Sequence, residues 1–322
     1  MKNIIGFRQY LKSENSYGDL VEIINGKETY FSIKDDFLSI VVLCGDNPRE
    51  FLESKNLLSQ VAFYDFAPWE ESAKRVANVY KKSLFKPEKI QIIHYNENPK
   101  GLTYPLELLV QISNNLEAKN LGVSDSDFQF PYSEIRRAYD FHLSISTDKE
   151  MIITYPRRKR RSLDASEYPI NRWAMEDLEN LYIYFLSDLK VLDEKPDFQS
   201  GLSFTNHLAN LSLHFENVGS WIGNLHMAIQ VIRNKGKLFK DFEIKTNLQN
   251  ESTINFSVQC AKIEQLYKYY LIPIHNIVQI ALDHPDRYLM KDWRDGMNTD
   301  ELNKTINKIE ENYLSFIKEK QL

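Results

Sequence analysis

Residues 155–161 read Tyr155-Pro156-Arg157-Arg158-Lys159-Arg160-Arg161, five successive cations in a chain whose formal net charge is -5. A cationic run on an acidic background is a local anion-binding device, because a generally basic surface would spread its charge. Arg presents a planar fork that matches phosphate oxygens, and Lys adds a point charge. Arg136, Arg137, Lys149 and Arg172 lie nearby in sequence and extend the patch, while Tyr155, Tyr168 and Trp173 offer faces for unpaired bases. The partner this run predicts is nucleic acid, its phosphates contacted by Arg157, Arg158, Lys159, Arg160 and Arg161. An acidic protein surface is the competing partner.

A second group of residues depends on how the elements are arranged. Three short apolar runs, at 37–43, 61–64 and 90–95, are separated by helical patterns at 48–59 and 69–83. Strands alternating with helices predict a partly parallel sheet. Parallel neighbours would bring Cys44-Gly45-Asp46-Asn47, Asp65 and His94-Tyr95-Asn96 to one rim, the edge at which open α/β sheets bind ligands. Asp46, Asp65 and His94 are candidates there for a metal or a small polar molecule. Against this, Asp46 and Asp65 also suit the caps of the helices that follow them.

Two fragments resemble nuclease patterns. Glu243-Ile244-Lys245 on a strand, with Gln265 and Tyr267 on a later helix, resembles part of the PD-(D/E)XK pattern, in which a Glu and an upstream Asp bind a divalent metal and the Lys assists the attacking water. The preceding residues offer no strand ending in Asp, so the set is incomplete. Arg137 and His142, with four residues between them, are spaced as in the Arg-x4-His motif of HEPN ribonucleases, which cut RNA without a metal. That motif implies a dimerising helical bundle, whereas Leu143-Ser144-Ile145 reads as a strand.

Other catalytic routes are closed or weak. No two of the 11 glycines are separated by a single residue, so neither the dinucleotide fingerprint nor the P-loop can be written. Gly219-Ser220-Trp221-Ile222-Gly223 puts its serine one place too early for a nucleophile elbow. His207, His214 and His226 lack the spacing of three or four that suits metal ligands on one helix face, and read as structural. Cys44 and Cys260 read as free thiols in a reducing compartment. No catalytic residue, metal or cofactor is assigned.

At 322 residues, with 43% hydrophobic and 26% charged residues, the composition is that of a globular protein with a sizeable core. Residues 19–33 read as a hairpin around Asn25-Gly26, residues 104–118 and 221–233 as helices, and 239–245 with 253–259 as a second hairpin. Residues 122–131 read as polar turns. The expected fold is α/β, an N-terminal mixed sheet with flanking helices (1–195) followed by a mainly helical domain (196–322), the boundary falling at Asp193-Glu194-Lys195-Pro196-Asp197. On the last helix, 300–320, Leu302, Ile306, Ile309, Tyr313 and Phe316 form an apolar seam for the core, a protein partner or a second copy. With neither a secretory leader nor a membrane span legible, the expected role is a nucleic-acid-associated component of a cytoplasmic assembly. The alternatives are a metal-dependent phosphodiesterase and a structural subunit on an acidic partner.

Overall fold

The computed structural model describes residues 3–11, 14–25, 37–45, 48–66, 90–95, 102–126, 129–158, 179, 198, 201–239, 242–245, 256–270 and 311. Its centre is a mixed eight-stranded sheet with helices packed on it. β1 (Asn3–Leu11), β2 (Phe37–Gly45), β3 (Ala62–Phe66), β4 (Ile90–Tyr95) and β5 (Asn120–Asp125) all run parallel, in the spatial order β3-β4-β2-β1-β5. β8 (Ser203–Asn206) continues the sheet antiparallel to β5, and β6 (Ile152–Thr154) and β9 (Lys237–Phe239) complete it. Strands buried on both faces need continuous apolar runs, which Ile40-Val41-Val42-Leu43 and Ile92-Ile93 supply.

α1 (Glu14–Asn25), α2 (Pro48–Ser54) and α4 (Tyr132–Ile145) contribute to the core that also contains Phe7, Val41, Ile92 and Phe204. α3 (Thr103–Asn115) packs against β1, β2 and β5 and also meets α5 (His207–Ser212) and α6 (Gly223–Arg233). A Cβ at Gly6 would strike the Leu109 side chain, so β1 is thinned where α3 crosses it. A small parallel ribbon joins β7 (Arg157–Arg158) to β10 (Glu243–Ile244), and α7 (Phe256–Tyr270) follows.

The sheet and its flanking helices agree with the fold class expected from sequence. The first predicted hairpin is not formed: residues 20–24 belong to α1, and 26–36 lie outside the described residues. Leu20, Ile23 and Ile24 are spaced by three and one, which places them on one helical face, and all three are buried. The second hairpin fails for its C-terminal strand, since 256–259 open α7, while β10 pairs with β7 instead. Residues 69–83 and 300–320, except Glu311, also lie outside the described residues. The sheet spans both sides of the 193–197 stretch, because β8 and β9 follow it. No helix among the described residues is long and apolar enough to cross a membrane.

Gly18 tests the local reading of α1. It is exposed in the helix with nothing within 4 Å of a Cβ built on it, so Gly18→Ala should stabilise the protein by about 0.5–1 kcal/mol. The check is the urea midpoint, which should rise; a fall would mean that residues 14–25 are not helical.

Candidate functional site

The chain leaves β1 toward β2 on one side and returns through α3 to β5 on the other. The carboxyl ends of β1 and β5 therefore border the topological switch point, where diverging connections leave a crevice. Register places Arg8 of β1 directly opposite Asp125 of β5, and cross-strand partners share a face. Arg8 Nη2 lies 2.7 Å from Asp125 Oδ1; the arginine side chain is 1% exposed and the aspartate 27%. A buried guanidinium is costly unless its charge is matched, and this carboxylate matches it from the edge of the solvent.

Arg8 also reaches α6. Its Nη1 donates to Asn224 Oδ1 at 3.2 Å, while the Tyr155 hydroxyl donates to the Asn224 main-chain oxygen at 2.6 Å. Burial pushes the Tyr155 phenol far up, with the Arg8 charge opposing that shift. The Arg8 main-chain oxygen accepts from Ser126 N at 3.1 Å and Ser126 Oγ at 2.9 Å, so the residue after Asp125 is fixed too. Gly201, at φ +69°, accepts from Asp125 N at 3.3 Å. A Cβ there would stand 2.5 Å from Asp125 Oδ2, so only glycine leaves room for that oxygen.

The start of α6 is tied down from two sides. Thr103 Oγ1 donates to Gly219 O at 2.6 Å and accepts from Gly223 N at 3.0 Å, while Thr103 N donates to Ser220 O at 2.9 Å. These bonds satisfy amides in the first turns of both α3 and α6, which have no partner within their own helices. Gln265 of α7 accepts from Trp221 N at 2.9 Å. The turn carrying Asn224 is therefore braced by α3, α7, β1 and Tyr155.

The residues singled out from sequence are dispersed. Arg157 and Arg158 form β7; Lys159, Arg160 and Arg161 lie outside the described residues. Arg157, 30% exposed, faces Glu243 at 3.5 Å. Tyr155 is 0% exposed and sits edge-on to Phe198, so no base can stack on it. Arg136 pairs with Asp140 and Arg137 with Glu134. Tyr168, Arg172 and Trp173 lie outside the described residues.

The nuclease-like fragments do not assemble. Glu134 Oε2 accepts from both Arg137 and the Lys245 amide, and Arg137 Nη2 also donates to Glu243 O. These contacts tie the ribbon to α4. Among the described residues no three His, Cys, Asp or Glu side chains gather into a metal-holding group. Arg137 and His142 are five positions apart on α4, which turns them roughly 140° away from each other. Arg137 is exposed, whereas His142 is buried and bonds Thr154 Oγ1 at 2.8 Å and Asn120 Oδ1 at 3.1 Å. Of the rim residues, β2, β3 and β4 do run parallel, with Leu43, His94 and Asp65 in register. His94 is buried beside Phe63; Asp46 and Asn47 lie outside the described residues.

The buried histidines predict an acid limb of stability. Burial holds His226 down to about 4 and His142 to about 3, against an ordinary 6.5. Both bind fewer protons folded than unfolded, so their contribution is complete above about pH 6.5 and is lost as pH falls toward those values. Asp19, raised to about 6 mainly by burial and then by Glu22, acts oppositely: its penalty grows as pH rises from 3.8 to 6. Glu107, also raised by burial, acts in the same sense as Asp19; the two strongly shifted histidines outweigh these partly buried carboxyls. The urea midpoint should be lower at pH 5 than at pH 7, and an equal or higher midpoint would contradict this assignment.

Sequence reasoning missed the residue at the switch point. The sequence reads residues 122–131 as polar turns, yet Asn120–Asp125 is a strand whose last residue is Asp125. The usable signal was a short run carrying Leu121 and Val123 that leads into Asp125-Ser126-Asp127 in the sequence. Asp127 lies outside the described residues.

No protein-family model matches the chain, and no curated protein sequence does. Among solved structures, glucosyl-3-phosphoglycerate synthase from Mycobacterium tuberculosis in complex with UDP is 11% identical, over 84% of this chain and 81% of that one, with a TM-score of 0.50. The same synthase with Mn2+, UDP-glucose and glycerol 3-phosphate gives the same values. A mannosyltransferase from Pyrobaculum calidifontis with GDP-mannose and Mn2+ is 8% identical over 95% of this chain and 85% of that one, at a TM-score of 0.48. The chain has a Rossmann-type α/β fold like that of the synthase. This overturns the expectation of a nucleic-acid-binding assembly component: the synthase structures that the chain matches contain UDP in one case and UDP-glucose with Mn2+ in the other. The local reasons agree, because Tyr155 is buried and Arg136, Arg137 and Arg157 face carboxylates.

Proposed function

We propose that this chain is a glycosyltransferase that draws its sugar from a nucleoside diphosphate sugar. The observation that carries the reading is Asp125, the first carboxylate of Asp125-Ser126-Asp127, standing at the switch-point end of β5 and oriented by a buried arginine. The fold shared with the M. tuberculosis synthase, whose structures contain UDP and Mn2+ with UDP-glucose, supports it.

A divalent cation suits this donor set. Carboxylate oxygens are hard ligands of the kind Mg2+ and Mn2+ take, and the space beside Asp125 Oδ2 is one that any Cβ at position 201 would fill. Asp125 and Asp127 would hold the ion, which when bound supplies positive charge to a departing diphosphate. Arg8 holds Asp125 in place and occupies Oδ1, directing coordination to Oδ2. The ends of β2 and β4 lie on the far side of β1 from Asp125, giving the nucleoside a place along the same rim. Transfer joins an acceptor oxygen to the sugar's anomeric carbon as the bond to the diphosphate breaks, and the acceptor's proton leaves.

The test is calorimetric titration of the full chain with UDP and GDP, with and without Mn2+. At least one nucleotide should bind, and more tightly with Mn2+; no binding of either under both conditions would sink the reading. Release of nucleoside diphosphate from a panel of sugar donors then identifies the donor.

A further inference from the structure

We propose that Arg8 is a positioning residue which, with Asn224, locks the metal-holding carboxylate of Asp125 to the first turn of α6. The proposal rests on the glycosyl-transfer reading and assigns residues of that site which the shared fold does not. One guanidinium spans two elements: Nη2 to Asp125 at 2.7 Å and Nη1 to Asn224 Oδ1 at 3.2 Å. Its side chain is 1% exposed, so it touches neither solvent nor a ligand approaching from the crevice. Its Nε is buried with no hydrogen-bond partner among the described residues, while the other two nitrogens are placed on Asp125 and Asn224. A buried donor is rarely left unpaired unless other constraints fix the group.

The geometry separates shape from charge. Lys would keep the positive charge, but a single ammonium cannot reproduce a planar fork reaching two acceptors in different directions. Asn224 is itself anchored, because its main-chain oxygen accepts from Tyr155 and the neighbouring Gly223 amide donates to Thr103. Arg8 therefore transmits the position of a braced helix turn to Asp125. Partners that orient metal ligands in this way typically contribute 10- to 100-fold to metal affinity.

The experiment measures Mn2+ affinity of the full chain by electron paramagnetic resonance, in the presence of whichever of UDP or GDP binds the unaltered protein. Arg8→Lys, Asn224→Ala and the double variant are compared, with thermal unfolding recorded for each. Both single changes should weaken Mn2+ binding by about tenfold or more, and the double variant should be no weaker than the worse single, since the residues act as one unit. Asn224→Ala should do so with only a small shift in unfolding temperature, which a purely structural role would not produce. Arg8→Lys with unaltered affinity would show that charge alone suffices and overturn the proposal, as would additive losses or an Asn224→Ala protein that binds Mn2+ normally. If Arg8→Lys does not fold, Asn224→Ala decides alone. If the unaltered protein binds no nucleotide, the glycosyl-transfer reading fails and takes this proposal with it; normal binding with unaffected variants rejects only the clamp.

Discussion

Asp125→Ala should abolish metal-dependent nucleotide binding and also destabilise the fold, and these losses arise from different ends of the same ion pair. On the proposed function, removing the carboxylate takes away the proposed metal ligand at the switch point, so Mn2+-dependent nucleotide binding should fall by at least about a hundredfold. It also strands the Arg8 guanidinium, whose side chain is 1% exposed. Breaking a buried pair by deleting one partner costs about 3–5 kcal/mol, because the remaining charge is uncompensated. Asp125→Asn separates the two effects: its amide oxygen still accepts from Arg8, so most stability should survive while the anionic ligand is lost. Adding Arg8→Met to Asp125→Ala removes the stranded charge and should recover stability without recovering binding. Urea unfolding and calorimetry on the three variants check this. Full activity in a folded Asp125→Asn protein would remove Asp125 from the site.

β2 and β4 were legible because strands buried on both faces carry apolar runs such as Ile40-Val41-Val42-Leu43 and Ile92-Ile93; β3, a half-buried edge strand, showed through Ala62-Phe63-Tyr64, and α2 lies between it and β2 in sequence. The strands flanking the crevice were not. β1 carries Arg8 and Gln9 among its buried residues, and β5 ends in Ser124 and Asp125, so both look too polar for central strands. Their polarity is what a ligand-binding strand end requires, and the same feature that hid them from pattern reading marks the site. The last turns of α1 read as a strand because Val21, Ile23 and Ile24 are β-branched and bounded by Asn25-Gly26. Tertiary burial of one helical face outweighed that local preference.

The basic run misled for a related reason. Charge density in sequence says nothing about which carboxylates will fold against it, and Glu243, the described partner of Arg157, lies 86 positions further on. Arg8, a lone cation inside an apolar stretch, carried the more useful information. A single buried charge demands a partner, and that partner was Asp125.

Gly201→Ala is the smallest change expected to disturb the site strongly. At φ +69° an alanine occupies a backbone conformation that costs roughly 1–2 kcal/mol relative to glycine. Its methyl group would also stand 2.5 Å from Asp125 Oδ2 and 3.6 Å from Phe130 Cε2. The Phe130 distance is an ordinary contact, whereas the one to Oδ2 is too short, so the carboxylate has to move, and moving it strains the 2.7 Å contact to Arg8. The combined cost should be about 2–4 kcal/mol, within the range of overpacking plus backbone strain. Mn2+ affinity should fall in parallel, because the displaced oxygen is the one Arg8 leaves open. Gly18→Ala supplies the reference, being the same substitution in an open helical position with the opposite expected sign. A Gly201→Ala protein with unchanged urea midpoint and unchanged Mn2+ affinity would mean that Oδ2 is not confined by residue 201. The metal-facing role given to that oxygen would then be wrong.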